Sequence, residues 1–252
     1  MKILVAYAVE PEFEPWRKLR KFESVQCGSF SIQRAALGAA SVDFLVTGMG
    51  PMHAERAMDA VAGEPYSACI ASGFAGSLSS ALAVGDIVIP AVVRQADGTD
   101  SLSCDARLLE AGIAAGGKRI ETIVSCDHVA TTVAEKKQLG ASAEAVDMES
   151  FTVLAVARRR GIPFAAVRIV SDRHDQALPV DLSTAVDERG QISIGRVLKM
   201  VAGSPGQISM LMKLGRESKA AAEKLARFLD GYIERVAGIA AQKTPERSHG
   251  SG

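Results

Sequence analysis

Residues 145–175 read AVDMESFTVLAVARRRGIPFAAVRIVSDRHD, and this stretch decides the predicted fold. A helix is predicted to begin near Met148 and to end by Gly161, because a proline that cannot continue a helix follows shortly afterwards. The next run, Pro163–Val170, is apolar on both faces, which is typical of a central strand that helices cover on each side. Charged residues follow this strand at once. The succession of helix, buried strand and polar strand end indicates a layered α/β fold.

The same alternation extends over the rest of the chain. Further strands are predicted at Lys2–Ala8, Val42–Thr47, Ala68–Ser72, Asp86–Val93 and Ile120–Cys126. A helix is predicted after Pro51, whose ring suits a first helical turn, and another where apolar residues recur at three- and four-residue steps between Leu225 and Val236. The apolar stretch Ile194–Leu214 predicts two helical pieces with a break at Ser204-Pro205-Gly206. We therefore expect a single domain over residues 1–241 and a flexible polar tail over 242–252.

Composition excludes several classes of protein. The 252 residues include 29 basic and 29 acidic side chains, so the basic excess that is typical of nucleic-acid binding is missing. Stretches of 18 uninterrupted apolar residues are absent, which argues against a membrane span. The four cysteines, Cys27, Cys69, Cys104 and Cys126, are widely separated, which favours a reducing cytoplasm and argues against structural zinc.

Polar residues are concentrated at three places in the sequence, at the ends of apolar strands. These clusters are Glu10–Glu12, Ala145–Ser150 and Ser171–Asp175, and glycine-rich turns at Gly48–Gly50 and Ser72–Gly76 lie between them in sequence. Open α/β sheets place ligand sites at such strand ends, and glycines allow the backbone to approach a ligand closely. A helix N-cap or a solvated loop carboxylate is the ordinary alternative for each acid.

The order of these segments resembles the purine nucleoside phosphorylase/uridine phosphorylase superfamily and, within it, the methylthioadenosine/S-adenosylhomocysteine nucleosidase branch. The matching pieces are MKILVAYAVEPEFEPW, VTGMGPMHAERAM, ASGFAGSLSSALAVGDIVIP, AVDMES and AVRIVSDRHD, which run in family order over roughly residues 1–180. A softer similarity, carried by CDHVAT, SDRHDQALP and the PGQ that precedes an apolar helix, is to the hopanoid-associated phosphorylase group. The resemblance implies a three-layer α/β/α fold with a mixed, partly barrel-like central sheet.

The resemblance also implies site residues and a chemistry. Asp172 corresponds to the acid that protonates N7 of the departing purine, and it must carry its proton near neutral pH, which a desolvated strand end favours. Glu149 corresponds to the carboxylate that grips the 2′- and 3′-hydroxyls of the ribose, with Met148 against the sugar or simply in the core. Glu12 corresponds to the base that activates water. No metal or organic cofactor is expected.

Four further residues complete the expected substrate-binding set: Gly73, Phe74, Val129 and Ser171. Two of them depart from the nucleosidase pattern, because Phe74 stands where a serine is usual and Val129 where an aromatic residue stacks on the base. The resemblance therefore leaves the base pocket and the preference for methylthioadenosine open.

The nucleophile distinguishes hydrolysis from phosphorolysis. Phosphorylases hold phosphate with arginines, whereas Ala8–Glu12 is acidic and Ala71 and Phe74 occupy the arginine and serine positions beside the glycine turn. Hydrolysis is favoured; phosphorolysis would need a site rebuilt from arginines elsewhere, for example Arg34, Arg168 or Arg173. A non-catalytic nucleoside-binding protein is the second alternative, which the presence of all three acids disfavours.

The segment Ile194–Leu214 departs most from small nucleosidases. Its methionines and leucines could line a groove for a lipid-like 5′ substituent such as that of adenosylhopane, or pack on the sheet or on a second subunit. Lys199, Lys213 and Arg216 give a weak signal for peripheral membrane contact. The resemblance implies a homodimer or higher homo-oligomer.

Overall fold

The computed structural model describes residues 1–178, 181–201 and 205–241. Its strands are β1 (Lys2–Tyr7), β2 (Glu23–Cys27), β3 (Phe30–Leu37), β4 (Ala40–Val46), β5 (Ala68–Ser77), β6 (Ile87–Gln95), β7 (Ser101–Ser103), β8 (Lys118–Ser125), β9 (Ala145–Asp147) and β10 (Phe164–Asp172). Its helices are α1 (Glu10–Leu19), α2 (Pro51–Ala60), α3 (Ala106–Ala114), α4 (Val133–Leu139), α5 (Ser150–Arg159), α6 (Ile194–Val201) and α7 (Pro205–Ala241), with a 3₁₀ turn at Leu182–Ala185.

The ten strands form one mixed sheet that closes on itself over part of its width. The strand order is β10-β6-β8-β9-β5-β1-β4-β3-β2, with β7 on β6, and a further pairing of β10 with β5 closes five strands into a barrel. Strand β5 is parallel to both β1 and β10, whereas the β9–β5 and β6–β10 pairs are antiparallel. The mixed, partly barrel-like sheet expected from the sequence is therefore confirmed.

Apolar residues cover both faces of this sheet. Alternate residues of β1 point into two different cores: Ile3 and Val5 pack with α1, α3 and α7, while Leu4 packs with α2 and α5 on the other side. This double burial explains why the central strands are continuously apolar. On α7, Leu225 and Leu229 are fully buried in the first core, in agreement with the predicted apolar face.

Several elements differ from the prediction. Helix α1 begins at Glu10, directly after β1, where the sequence analysis placed only an acidic cluster; its Pro11 lies in the first turn, where no N–H partner is needed. Strands β2 and β3 form an unpredicted hairpin whose residues are largely exposed or half-buried. Of the predicted break, Pro205 and Gly206 begin α7, and this second apolar piece continues into the C-terminal helix as one helix of 37 residues.

The expected tail, 242–252, and Ser204 lie outside the described residues. Among the described helices, none has both the length and the apolar character that crossing a bilayer requires. All four cysteines are free thiols.

Candidate active site

A cavity of about 620 Å³ opens at the carboxyl ends of the parallel strands β1, β5 and β10. Its walls include all three acids singled out in the sequence: Glu12, Glu149 and Asp172. Each of the three is buried, with 4–6% of its surface exposed. Residues separated by up to 160 positions in the sequence thus face one enclosed space, as strand ends do in this class of fold.

Backbone N–H groups fix the carboxylate of Glu12. Glu12 is the third residue of α1, and its Oε2 accepts hydrogen bonds from the N–H groups of Ala8 (3.0 Å) and Val9 (3.1 Å), as a glutamate at this helix position commonly does. Its Oε1 accepts a hydrogen bond of 2.8 Å from the N–H of Phe74, a residue of β5. Burial raises the pKa of Glu12, while the charge of Arg168 and the three N–H groups oppose the rise.

Gly73 makes room for this carboxylate. A Cβ atom at Gly73 would lie 2.5 Å from Glu12 Oε1 and 2.7 Å from Nη1 of Arg168, and its φ of +137° is one that side-chain-bearing residues rarely adopt. Gly73 thus lies behind the carboxylate rather than on the cavity wall, which its neighbour Phe74 lines.

Arg168 is buried beside Glu12, and other groups of the protein hold its guanidinium. It forms an ion pair with Asp147 (Nη2–Oδ2 2.7 Å). It also donates to Ser150 Oγ (2.9 and 3.0 Å) and to the carbonyl of Ser72 (3.1 Å). Arg168, which the sequence suggested only as a substitute phosphate ligand, is a structural cation behind the acids.

Glu149 lies just before α5, and its Oε1 accepts a hydrogen bond from the N–H of Gly50 at 2.8 Å. Gly50 precedes α2 with a φ of +91°, so the Gly48–Gly50 turn contributes a backbone donor to the site. Burial raises the pKa of Glu149 to about 8; Arg168 opposes this shift and Asp147 adds to it. Met148 lines the cavity next to Glu149.

Asp172 ends β10 at an irregularity in the pairing with β5, where Val170 lies opposite Ala75 and Asp172 opposite Gly76. The extra residue, Ser171, re-aims the following side chain, as β-bulges do next to active sites. Oδ1 of Asp172 accepts a hydrogen bond from the Ser171 hydroxyl at 2.7 Å.

Asp172 also forms an ion pair with Lys136 of α4, whose side chain is 1% exposed. This lysine was not predicted from the sequence. A lysine one position away from a second lysine in a short helix carries no signal that distinguishes a buried side chain from a solvated one.

The loop before α4 forms another wall of the cavity through His128, Val129 and Ala130. His128 lies between two carboxylates, with Nδ1 2.7 Å from Asp127 and Nε2 2.5 Å from Glu135, and these contacts raise its pKa. Val129 of this loop and Phe74 of β5 supply apolar surface to the same cavity that the acids line.

From the acids, the cavity continues between α1 and α7. Pro11, Pro15 and Leu19 line it from α1, and Leu211 and Leu214 from α7. Of the predicted apolar stretch, these two leucines face the cavity, whereas Met212 is 63% exposed.

The three arginines considered as alternative phosphate ligands are all paired with carboxylates. Arg34 binds Asp43 (2.6 and 2.9 Å), and Arg173 binds its neighbour Asp175 (2.8 Å twice). With Arg168 held by Asp147, each of the three already has a counter-ion.

Comparisons with known proteins agree with this architecture. The family model described as the phosphorylase superfamily matches residues 2–203. Among solved structures, the 5′-methylthioadenosine/S-adenosylhomocysteine nucleosidase of Helicobacter pylori with butyl-thio-DADMe-Immucillin-A is similar with a TM-score of 0.73 at 18% identity, over 93% of this chain and 98% of that chain. The corresponding nucleosidase of Neisseria meningitidis in complex with methylthio-immucillin-A gives 0.71 at 22% identity, over 92% and 98%.

Native futalosine hydrolase of Helicobacter pylori gives a TM-score of 0.73 at 18% identity, over 93% of this chain and 97% of that chain. At these identities the likeness to solved structures establishes the fold. No curated protein matches the sequence.

Proposed function

The chain belongs to the phosphorylase superfamily, and we propose that it is a nucleosidase that hydrolyses the N-glycosidic bond of an adenine-type nucleoside. The observation that carries this proposal is the convergence of Glu12, Glu149 and Asp172 on one cavity, each held by specific hydrogen bonds. The names of the similar solved structures, two nucleosidases and a futalosine hydrolase, agree with it.

The proposed reaction uses one acid on the leaving group and one base on water. As the C1′–N9 bond breaks, its electron pair moves into the purine and Asp172 delivers a proton to N7, which contributes about 10²- to 10⁴-fold to the rate. The ribosyl group develops oxocarbenium character, as in glycosidases. Glu12 then takes a proton from water while the hydroxide adds to C1′.

Glu149 is assigned to the ribose. A carboxylate accepts hydrogen bonds from the 2′- and 3′-hydroxyls together and thereby fixes the sugar against the base. Met148, Phe74 and Val129 provide the apolar contacts around it, with Ser171 beside the acid. The proposed reaction involves no metal or organic cofactor.

Water is the proposed nucleophile because the site around Glu12 is anionic. Phosphate-dependent cleavage that releases ribose 1-phosphate is the alternative function, and a non-catalytic nucleoside-binding protein is a second one. The paired states of Arg34, Arg168 and Arg173 disfavour phosphorolysis, and the three positioned acids disfavour binding without turnover.

We further propose that the 5′ substituent is a long apolar group, as in adenosylhopane, and that it lies in the channel between α1 and α7. The leucines and prolines along this part of the cavity support the proposal, because they remove apolar ligand surface from water. The similarity of the sequence to the hopanoid-associated group supports it as well.

We also propose, from the sequence alone, that the protein is located in the cytoplasm and that it assembles into at least a dimer.

Product analysis tests the proposed function. The protein is incubated with methylthioadenosine, adenosine and a 5′-alkyl-adenosine, with and without phosphate, and the products are separated by chromatography. Free adenine and free ribose at a rate that is indifferent to phosphate are expected. Dependence on phosphate with release of ribose 1-phosphate would establish the alternative.

A Leu214→Ser variant tests the channel, with Met212→Ser as the matched control on the exposed face of the same helix. Loss of one leucine contact is expected to lower kcat/KM for the 5′-alkyl substrate about tenfold while leaving methylthioadenosine nearly unchanged. Equal loss on both substrates would mean that Leu214 only packs the fold.

A further inference from the structure

Lys136 makes a buried ion pair that the proposed acid–base scheme does not explain. Its ammonium contacts the carboxylate of Asp172 and donates to the backbone carbonyls of Arg173 and Gln176, each at 2.9 Å. An ammonium has three N–H donors, so the segment that carries the acid engages all of them. The next residue of the helix, Lys137, is exposed, so the fold selects one of two adjacent lysines for this place.

The pairing gives Asp172 a buried cationic partner. A buried ammonium is costly unless a carboxylate and further acceptors compensate it, and here they do. An ammonium in contact with a carboxyl group favours its ionised form over its protonated form. Yet the acid must give up a proton when the purine leaves, so that proton has to arrive before the bond breaks.

Several other charged groups around Asp172 have partners of their own: Arg173 and Asp175, paired with each other on the turn after β10; Asp147 of β9, paired with Arg168 of β10; and His128, held by Asp127 and by Glu135 of α4. Glu149, across the cavity, accepts a hydrogen bond from the N–H of Gly50, and His174 lies on the turn two residues after the acid. Strand β5 contributes Gly76, whose missing Cβ would lie 3.1 Å from Oδ2. Lys136 is therefore the cation in contact with the acid among the described residues.

We propose that Lys136 is a positioning residue that holds Asp172 as a carboxylate until a purine binds, so that the base and a proton enter the site together. The inference rests on the proposed function. On binding, Asp172 takes a proton from solvent and presents it to N7. When the C1′–N9 bond breaks, the electron pair goes to the purine, the proton goes to N7, and the carboxylate returns to Lys136.

The first test needs no variant. Adenine binding is measured by calorimetry in buffers with different ionisation enthalpies between about pH 6 and pH 9, which reports the number of protons exchanged. Adenine carries no ribose and so does not engage Glu149. Uptake that approaches one proton per adenine toward the alkaline end is expected. No uptake at any pH would overturn the proposal.

Variants then assign the effect to Lys136. Lys136→Met removes the charge, Lys136→Gln removes it but keeps an N–H donor in case the methionine variant does not fold, and Lys136→Arg keeps the charge. In the neutral variants the pH at which adenine binding and kcat/KM decline is expected to rise by about one to three units, whereas Lys136→Arg and the control Lys137→Met keep the wild-type profile. An unchanged profile in a folded neutral variant would overturn the assignment.

The binding readout separates this inference from the proposed function. Proton-linked adenine binding without release of base from any nucleoside would overturn the nucleosidase function and leave the role of Lys136 standing. Failure to bind adenine at all would overturn the role of Lys136, whereas the nucleosidase function is decided separately by the product analysis. Turnover without proton uptake would overturn the role of Lys136 alone.

Discussion

Replacing Glu12 with glutamine changes the site at its most constrained point. The two carboxylate oxygens accept hydrogen bonds from the N–H groups of Ala8, Val9 and Phe74. A carboxylate offers about four acceptor positions, so roughly one is left for a water molecule. In either orientation, the NH₂ group of a glutamine amide faces backbone N–H groups that need an acceptor. The amide also cannot accept the proton of the attacking water.

The expected effects on rate and stability can be worked from these contacts. Loss of the base is expected to lower kcat by about 10²- to 10⁴-fold. The less costly amide orientation leaves the N–H of Phe74 without an acceptor, at about 1–3 kcal/mol. The neutral amide does not carry the desolvation cost of a buried charge, the cost that raises the pKa of Glu12, and this offsets part of the loss. At about 2–4 °C per kcal/mol for a chain of this size, Tm is expected to fall by about 2–12 °C before this offset.

The assay is adenine release from methylthioadenosine, followed by chromatography, with thermal unfolding measured on the same preparation. Glu10→Gln is the matched control, because Glu10 lies on the same helical turn with its side chain 51% exposed. A folded Glu12→Gln protein whose rate stays within about tenfold of wild type would refute the assignment of the base.

Three further variants test the other site residues. Asp172→Asn is expected to lower kcat by about 10²- to 10⁴-fold with nucleoside affinity largely kept; a near-normal rate would show that the acid lies elsewhere. Gly73→Ala places a methyl group 2.5 Å from Glu12 Oε1 and should abolish turnover and lower Tm, unlike Gly63→Ala, which has open space. Glu149, with a pKa of about 8, is mostly protonated at pH 7, and ribose hydroxyls favour its carboxylate. Wild type should therefore release about one more proton than Glu149→Gln on binding a non-cleavable adenosine analogue, and equal release would contradict the ribose assignment.

The fold was predictable where burial on both faces leaves a signal in the sequence. The strand ending at Asp172 and the helix before it were recognisable because continuous apolar runs and the Gly161–Pro163 break mark their limits. The β2–β3 hairpin was not, since most of its residues are at least half-exposed and carry no alternation strong enough to separate a strand from a loop. Helix α1 was missed because its two prolines argue against a helix unless their positions within it are known.

The candidate acids were recognisable for a different reason. Glu12, Glu149 and Asp172 lie in segments whose order matches a known family, so resemblance identified them where residue type alone could not. Their surroundings come from elsewhere in the chain: the backbone donors of Gly50 and Phe74, and the cation Lys136. Such contacts join elements that lie far apart in the sequence, and no local pattern records them.

The choice between water and phosphate follows from which carboxylates already hold the arginines. Arg168 is buried beside Glu12, but Asp147, Ser150 and the Ser72 carbonyl occupy its guanidinium. If Arg168 bound phosphate instead, its buried ion pair with Asp147 would break, at a cost of several kcal/mol per ion. The phosphate dianion would also lie against the carboxylate of Glu12, which backbone N–H groups already hold in place. A neutral water molecule requires neither the loss of this ion pair nor the approach of two negative charges, and it can donate a hydrogen bond to Glu12. The electrostatics of the site therefore favour hydrolysis even though the fold is that of a phosphorylase.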